Sequence, residues 1–357
     1  MKFIIAAGGT GGHITPGIAI ATMLKQEGHE IIFVGTEKGL EVDLVPKAGF
    51  ELKYIHASGL KGGIINNMKA IISLQKGISE CKKIIKEYNP DMVIGTGGYV
   101  TAPLLIAGNS LKVPTMIHES NALPGKTTKW LSKQVNCVAV GFEEAKKRLD
   151  NSENIVWTGN PNKMGLSTLT KEQAKNKLGI QGKIVLVFGG SQGAKKINET
   201  MIELIKGNQI KNYTLIYATG PKHFDSIIEQ LKEIPSNVRV EKYIYNMEEV
   251  MRASDLVICR SGALTISEIA TVGVPSILIP FPYAAENHQY YNAKTLEDVQ
   301  AAKIIEEKEL SKEKLQETLQ QLLADDKVLE QMAQNAKKLE NKNTLENIKK
   351  EIHRICN

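Results

Sequence analysis

Short runs of β-branched and other apolar residues, each closed by glycine, proline or a polar cluster, alternate along this chain with longer segments whose apolar positions recur every three or four residues. In the first half the short runs are Lys2 to Ala7, Glu30 to Gly35, Glu51 to His56, Asp91 to Gly95, Pro114 to His118 and Asn136 to Val140. Ile155 to Pro161 ends in Gly-Asn-Pro and continues polar through Thr170, which predicts a linker. A second series follows at Lys183 to Phe188, Tyr213 to Ala218, Val238 to Glu241, Asp255 to Cys259, Pro275 to Pro280 and Ala301 to Ile305. Alternation of this kind predicts βαβ units, hence an α/β protein of two Rossmann-like, doubly wound parallel-sheet domains. The expected boundaries are residues 1–160 and 161–340, with 341–357 a helix packing back on the first domain. After Ser311 the Lys, Glu, Leu and Gln residues fall at helical spacing, so the second domain finishes in surface helices.

Composition adds limits. A chain of 357 residues with 42% apolar content exceeds what one core usually organises, which agrees with two domains. Cys81, Cys137, Cys259 and Cys356 lie far apart with no C-x-x-C pair, so they read as thiols in a reducing compartment. The opening apolar run is too short for a signal segment or a membrane span, so the expectation is a protein neither exported nor membrane-spanning. The formal charge of +6 is mild, and a lysine-rich solvated surface accounts for it without nucleic acid.

The chemistry gathers in glycine-rich turns that each follow a predicted strand. These are Gly8-Gly9-Thr10-Gly11-Gly12-His13, Gly95-Thr96-Gly97-Gly98-Tyr99 and Gly189-Gly190-Ser191-Gln192-Gly193-Ala194. Glycine lets backbone amides and a helix start approach an anion or polar ligand closely. One such turn is explained by packing; three are not. None reads G-x-G-x-x-G, which lowers the case for a nicotinamide or flavin enzyme. Ser120 to Thr127 and Gly189 to Lys196 resemble a P-loop, yet each lacks a glycine or the metal-binding hydroxyl, so an ATPase is a minor alternative. A fourth site runs from Arg260 to Glu268, where a strand gives way to a helix whose amides can hold a diphosphate without a metal. Glu268 lies too far into that helix to face the diphosphate without repelling it; it suits the hydroxyls of a ribose, the alternative being an exposed helix glutamate.

GGTGGH, GTGGY, HESN, GNP, GGSQGA, CRSGALTISE and PFPYAAENHQYYNA, in this order, resemble the MurG family of bacterial peptidoglycan glycosyltransferases along essentially the whole chain. The resemblance implies a GT-B architecture with the two domains facing a cleft. It implies inverting transfer of N-acetylglucosamine from UDP-N-acetylglucosamine to the C4 hydroxyl of undecaprenyl-pyrophosphoryl-N-acetylmuramyl-pentapeptide, at the cytoplasmic face of the cell membrane. The first domain would bind the acceptor and the second mainly the donor. Donor contacts carried over from the family fall on Thr10, Gly11, Gly12, Asn121, Ser191, Ile244, Ala263, Leu264, Thr265, Ile266, Ser267, Glu268 and Gln289. Gly97, Gly98 and Tyr99 are assigned to the acceptor side. Lys163 stands where the family commonly has arginine, keeping the charge but losing the planar fork; Lys195 also replaces a common arginine, and Ala218-Thr219-Gly220 replaces a more polar turn. Partners implied are the donor, the lipid-linked acceptor, an anionic membrane surface and other cell-wall synthesis proteins.

Inverting transfer needs a base for the acceptor hydroxyl and stabilisation of the departing UDP. No Asp-x-Asp pair occurs, so neither a metal nor another cofactor is expected, and helix N-termini with Arg260 would carry the electrostatic work. His13 is the first candidate base, at the carboxyl end of the first strand, although it could instead cap the following helix. His118 and Glu119 end another strand and could replace it or orient the acceptor. Ile64 to Tyr88 mixes Ile64, Ile65, Met68, Ile71, Ile72 and Leu74 with five lysines, suited to anionic headgroups; an amphipathic helix packed on the sheet explains the later residues equally well, so the turn Ile64-Ile65 is the better membrane candidate. Two other readings stay open: a UDP-N-acetylglucosamine 2-epimerase on the same scaffold, which would need acidic catalytic residues, and a non-enzymatic sugar-nucleotide sensor.

Overall fold

The computed structural model describes the chain apart from residues 60–63, 151, 163, 165–168 and 357, and gives helix but no side-chain detail for 64–69. It divides into two compact units, Met1–Asn162 with Asn343–Asn357, and Lys163–Lys342.

Unit 1 runs β1 (Lys2–Ala6), α1 (Gly11–Gln26), β2 (Glu30–Gly35), α2 (Glu41–Lys47), β3 (Glu51–Tyr54), α3 (Ile64–Tyr88), β4 (Met92–Gly95), α4 (Thr101–Ser110), β5 (Thr115–Glu119), α5 (Lys126–Leu131), β6 (Cys137–Val140), α6 (Glu143–Lys147) and β7 (Ile155–Trp157). Its seven strands are all parallel in the order β3-β2-β1-β4-β5-β6-β7. Unit 2 runs α7 (Lys171–Leu178), β8 (Ile184–Phe188), α8 (Lys195–Lys206), β9 (Thr214–Ala218), α9 (Phe224–Leu231), β10 (Val238–Glu241), α10 (Met247–Ala253), β11 (Leu256–Cys259), α11 (Ala263–Val272), β12 (Ser276–Leu278), α12 (His288–Asp298), β13 (Ala302–Ile304), α13 (Lys312–Leu323) and α14 (Asp326–Lys337). Its six strands are parallel in the order β10-β9-β8-β11-β12-β13. The last helix, α15 (Thr344–Cys356), belongs to unit 1.

The strands read as unbroken apolar runs because helices cover both faces of each sheet. β4, β8 and β11 are buried at every position. In unit 1 alternate residues of β1 serve two cores: Ile4 and Ala6 pack with Ile85, Leu104 and Leu105 of α3 and α4, whereas Phe3 and Ile5 pack with Ile14, Ile20 and Leu24 of α1. The second core also takes Ile348 and Ile352 of α15, both fully buried, each worth about 2 kcal/mol of burial. Cys81, Cys137 and Cys259 are buried thiols, and burial pushes Cys81 and Cys137 up to about 12.

The first three residues of the predicted linker are instead a strand, and the division between the two units falls in the remainder. Ile155–Trp157 pairs with β6 as the outermost strand of the first sheet. It is only three residues long, with Ile155 buried and Val156 and Trp157 half-buried, too short for either period to register.

Candidate active site

In an open parallel sheet a crevice forms at the carboxyl ends of the strands where the winding direction reverses. In unit 1 that point lies between β1 and β4, and in unit 2 between β8 and β11. Four of the motifs follow these four strands: GGTGGH follows β1, GTGGY follows β4, GGSQGA follows β8 and RSGALTISE follows β11. Each unit therefore places a pair of its motifs on either side of its own switch point.

The unit 1 turns are built into each other. Gly9 (φ +87°), Gly97 (φ +113°) and Gly98 (φ +79°) hold backbone that other residues rarely adopt. A Cβ on Gly97 would strike the His13 ring, and one on Gly98 would strike the Gly8 carbonyl oxygen. Gly97 and Gly98, assigned to the acceptor from the sequence, thus act here as the floor on which His13 rests, and Tyr99 packs against Gly9. Thr96 is buried and donates from Oγ1 to the His13 carbonyl at 2.8 Å, tying the start of α1 to the end of β4.

His13 is half-buried. Its Nδ1 lies 3.2 Å from the Gly8 carbonyl oxygen and 3.3 Å from Thr10 Oγ1. A carbonyl can only accept, so the bond to Gly8 needs a proton on Nδ1; in the neutral ring that places the lone pair on Nε2. Thr10 precedes α1 and makes no side-chain cap, and the first bonds of the helix run from His13 and Ile14 N–H to the Thr10 carbonyl. The amides of Gly11 and Gly12 lie ahead of those bonds.

His118 and Glu119, grouped with His13 from the sequence, are buried and committed to structure. His118 Nε2 donates to the Gly159 carbonyl at 3.1 Å, and burial holds its imidazole below the ordinary range, so it stays neutral. Glu119 accepts from Asn121 N–H (3.0 Å), Asn121 Nδ2 (3.2 Å), Gly125 N–H (3.0 Å) and Thr128 Oγ1 (2.6 Å). It clamps the loop that presents Asn121. HESN and GNP interlock as well: Asn160 Nδ2 donates to the Ser120 carbonyl at 2.9 Å, and a Cβ on Gly141 would run into the Asn160 side chain.

In unit 2 the exposed Ser191 tops a turn closed by Gly193 N–H to the Gly190 carbonyl at 3.0 Å. Gly193 (φ +79°) and Gly220 (φ +86°) press backbone to backbone, so the Ala218-Thr219-Gly220 turn supports the GGSQGA turn. α11 starts after Gly262 with no side-chain cap; its first bond runs from Ile266 N–H to the Gly262 carbonyl at 3.0 Å, leaving the amides of Ala263, Leu264 and Thr265 ahead of it. Ile266 is buried in the core beneath, and Leu264, Ser267 and Glu268 are half-buried. Burial pushes the Glu268 carboxyl up to about 7.

Arg260 does not face the helix start. Its guanidinium donates to the Ile279 and Pro280 carbonyls, both at 3.1 Å, pairs with Glu307 and lies 5.4 Å from the Phe281 ring. The paired carboxylate offsets the charge that a diphosphate would need, so Arg260 is not placed for the electrostatic part expected of it. Gln289 accepts from Phe281 N–H at 2.9 Å through Oε1, while its carbonyl accepts from Ser261 Oγ at 2.8 Å. Ile244 is buried between the exposed Tyr243 and Tyr245. Lys163 lies outside the described residues, as do the side chains of Ile64 and Ile65.

Among the described residues one group has metal-ligand spacing, Glu27, His29 and His353, and Glu27 is already paired with Lys349 at 2.7 Å. It lies at the amino end of the first sheet, away from the turns. A cavity of about 510 Å³, lined by Lys183, Asp255, Val274 and Asp326 among others, sits at the amino end of the second. Sequence reading missed Glu41 and Thr36, which hold the first unit 1 turn from beneath; Glu41 between Gly39 and a polar helix start carried no period, and only the crowding of Gly35 and Gly39 around it marked the spot.

Two doubly wound units, each with glycine turns and an open helix start at its switch point, are the arrangement of a nucleotide-binding α/β enzyme, and the family matches make it a glycosyltransferase. Residues 3–140 match the glycosyltransferase family 28 N-terminal domain and 184–352 the glycosyltransferase family 28 C-terminal domain. The UDP-N-acetylglucosamine--N-acetylmuramyl-(pentapeptide) pyrophosphoryl-undecaprenol N-acetylglucosamine transferase of Acetivibrio thermocellus is 46% identical over 98% of this chain and 96% of its own. The enzyme of the same name from Thermoanaerobacter sp. is 45% identical over 99% and 100%. A crystal structure of Acinetobacter baumannii MurG superposes with a TM-score of 0.81 at 28% identity, covering 99% of this chain and 98% of that one. The chain belongs to glycosyltransferase family 28 and, within it, to the MurG family. The Neisseria meningitidis UDP-GlcNAc 2-epimerase, at 16% identity and a TM-score of 0.68 with 99% and 100% coverage, shares the fold alone.

Proposed function

We propose that this protein transfers N-acetylglucosamine from UDP-N-acetylglucosamine to the C4 hydroxyl of undecaprenyl-pyrophosphoryl-N-acetylmuramyl-pentapeptide, with inversion. The substrates follow the names of its relatives. The observation that carries the chemistry is the 3.2 Å contact of His13 Nδ1 with the Gly8 carbonyl oxygen: a proton on Nδ1 makes that bond and leaves Nε2 to act as a base at the carboxyl end of the first sheet. The acceptor oxygen attacks the anomeric carbon as its proton passes to Nε2. The bond from that carbon to the β-phosphate oxygen breaks, and UDP leaves with the electron pair. Developing charge on UDP meets the amides of Ala263, Leu264 and Thr265 and the positive end of the α11 dipole. Glu268 receives the ribose hydroxyls, Ile244 lies beside the uracil, and Ser191 and Gln289 complete the contacts of unit 2 with the donor. Glu119 orients Asn121 rather than taking a proton, since four donors already occupy it.

Radiolabelled N-acetylglucosamine from the UDP-sugar should appear in a short-chain analogue of the muramyl lipid, and the yield should survive EDTA. Label that stays on the nucleotide, or a 2-epimerised sugar formed without acceptor, would defeat the assignment. Loss on chelation would defeat the metal-free arrangement alone.

Among the described residues no helix is long and apolar enough to cross a membrane. α3 nevertheless exposes Ile71 (54%) and Ile72 (63%) near the exposed Lys76. An apolar pair flanked by lysine suits peripheral binding at an anionic lipid surface, where a polyprenyl acceptor resides. The protein should co-sediment with anionic vesicles at low salt and not with neutral ones; equal recovery from both would remove the patch from this role.

A further inference from the structure

Beneath the first glycine turn lies a carboxylate that the chemistry above does not use. Glu41, at the start of α2, is completely buried. One carboxylate oxygen accepts from Thr36 N–H at 3.0 Å and Thr36 Oγ1 at 2.9 Å; the other accepts from Gly9 N–H at 3.0 Å. Glycines make room for it: a Cβ on Gly8 would stand 2.9 Å from Oε1 and one on Gly35 2.7 Å from Cγ. Among the described residues its hydrogen-bond partners are three neutral donors.

The Gly9 N–H and the Gly8 carbonyl belong to one peptide group. Its N–H end points at Glu41 (3.0 Å) and its C=O end accepts from His13 Nδ1 (3.2 Å). A carboxylate on the N–H polarises the peptide and makes its oxygen a stronger acceptor. Hydrolases place an aspartate directly on the Nδ1–H of the catalytic histidine to fix its tautomer and stabilise the imidazolium. Here a peptide group stands between the two.

We propose that Glu41 is a positioning residue that acts through the Gly8–Gly9 peptide to fix the His13 tautomer and stabilise its imidazolium as the acceptor hydroxyl gives up its proton. This deepens the reading of His13 as the base and rests on it. The arrangement also sets what the turn can bind: a negative charge beneath Gly9 opposes a diphosphate there and favours the positive charge that grows on the sugar ring during transfer. Tyr99, a titratable residue, also packs against this turn, so the test includes it.

The test is a cycle of His13→Ala, Glu41→Gln and the double variant, with kcat, donor KM and the pH profile of kcat for each. Glu41→Gln should lower kcat by about tenfold to a hundredfold with donor KM little changed, and should shift the acid limb of the profile to lower pH, because an imidazolium without its anion gives up its proton more readily. In the His13→Ala background Glu41→Gln should cost nothing further. Tyr99→Phe should leave the acid limb where it is. A clamp that only holds the loop would lower kcat at every pH without moving that limb, and would cost the same factor with or without His13; either result overturns the proposal. Wild-type turnover in His13→Ala would instead overturn the base assignment itself, which the cycle reports separately. Should Glu41→Gln not fold, Glu41→Asp keeps the charge but draws it back from Gly9, and must move the acid limb in the same direction for the proposal to stand.

Discussion

Replacing His13 with alanine should lower kcat by about 10²- to 10⁴-fold, the usual worth of a positioned base, and leave UDP affinity within about threefold of wild type. The two halves separate because the groups assigned to the nucleotide sit in unit 2, at α11 and the GGSQGA turn, whereas His13 contacts Gly8, Thr10 and the Gly97 turn of unit 1. Removing the ring also leaves a void over Gly97, so His13→Gln, which refills the space without a base, should be nearly as slow as His13→Ala. Steady-state kinetics with titration calorimetry of UDP measures both. Turnover close to wild type in His13→Ala would strike His13 from the role; a matched loss of UDP affinity would make it a donor contact instead.

Glu268→Gln should weaken UDP-N-acetylglucosamine binding by about tenfold to a hundredfold, since hydrogen bonds to a charged acceptor are worth about 1.5–3 kcal/mol. The same variant should be more stable than wild type when empty. Burial lifts the Glu268 carboxyl from 4.5 to about 7. The unfolded chain sheds this proton near 4.5 and the folded chain near 7, so the empty protein loses stability as pH rises through that interval. The penalty is absent below the interval and complete above it, roughly 3 kcal/mol at most. Tm of Glu268→Gln should therefore exceed wild type at pH 8 and match it near pH 4.5. Ribose hydroxyls donate to the ionised form, so wild-type affinity for the sugar nucleotide should rise from pH 6 to pH 8, with proton release on binding near pH 7. A flat wild-type profile, or full affinity in the variant, would remove Glu268 from the ribose.

Most of the framework was legible because parallel strands buried on both faces leave uninterrupted apolar runs, as at Ile184–Phe188 and Leu256–Cys259. Ile155–Trp157 was not, because three residues at a sheet edge are too few to carry a period. The motifs marked the switch points, yet their spacing said little about which way a side chain turns. Arg260 stands in the motif but points to Ile279, Pro280 and Glu307, partners up to 47 residues away in sequence. Glu119 looked reactive in HESN until its four donors were in place. Glu41 was invisible for the same reason: a buried charge between polar neighbours declares itself only through the Thr36 and Gly9 groups that surround it.

α15 fills the core of unit 1 although 180 residues of unit 2 separate it from the rest of that unit. During synthesis on the ribosome, residues 1–162 therefore emerge first but wait for Ile348 and Ile352 before their sheet is covered, while residues 163–342 can close on their own. The unit made earliest is finished last. A nascent chain stalled short of α15 would present an apolar sheet face to chaperones.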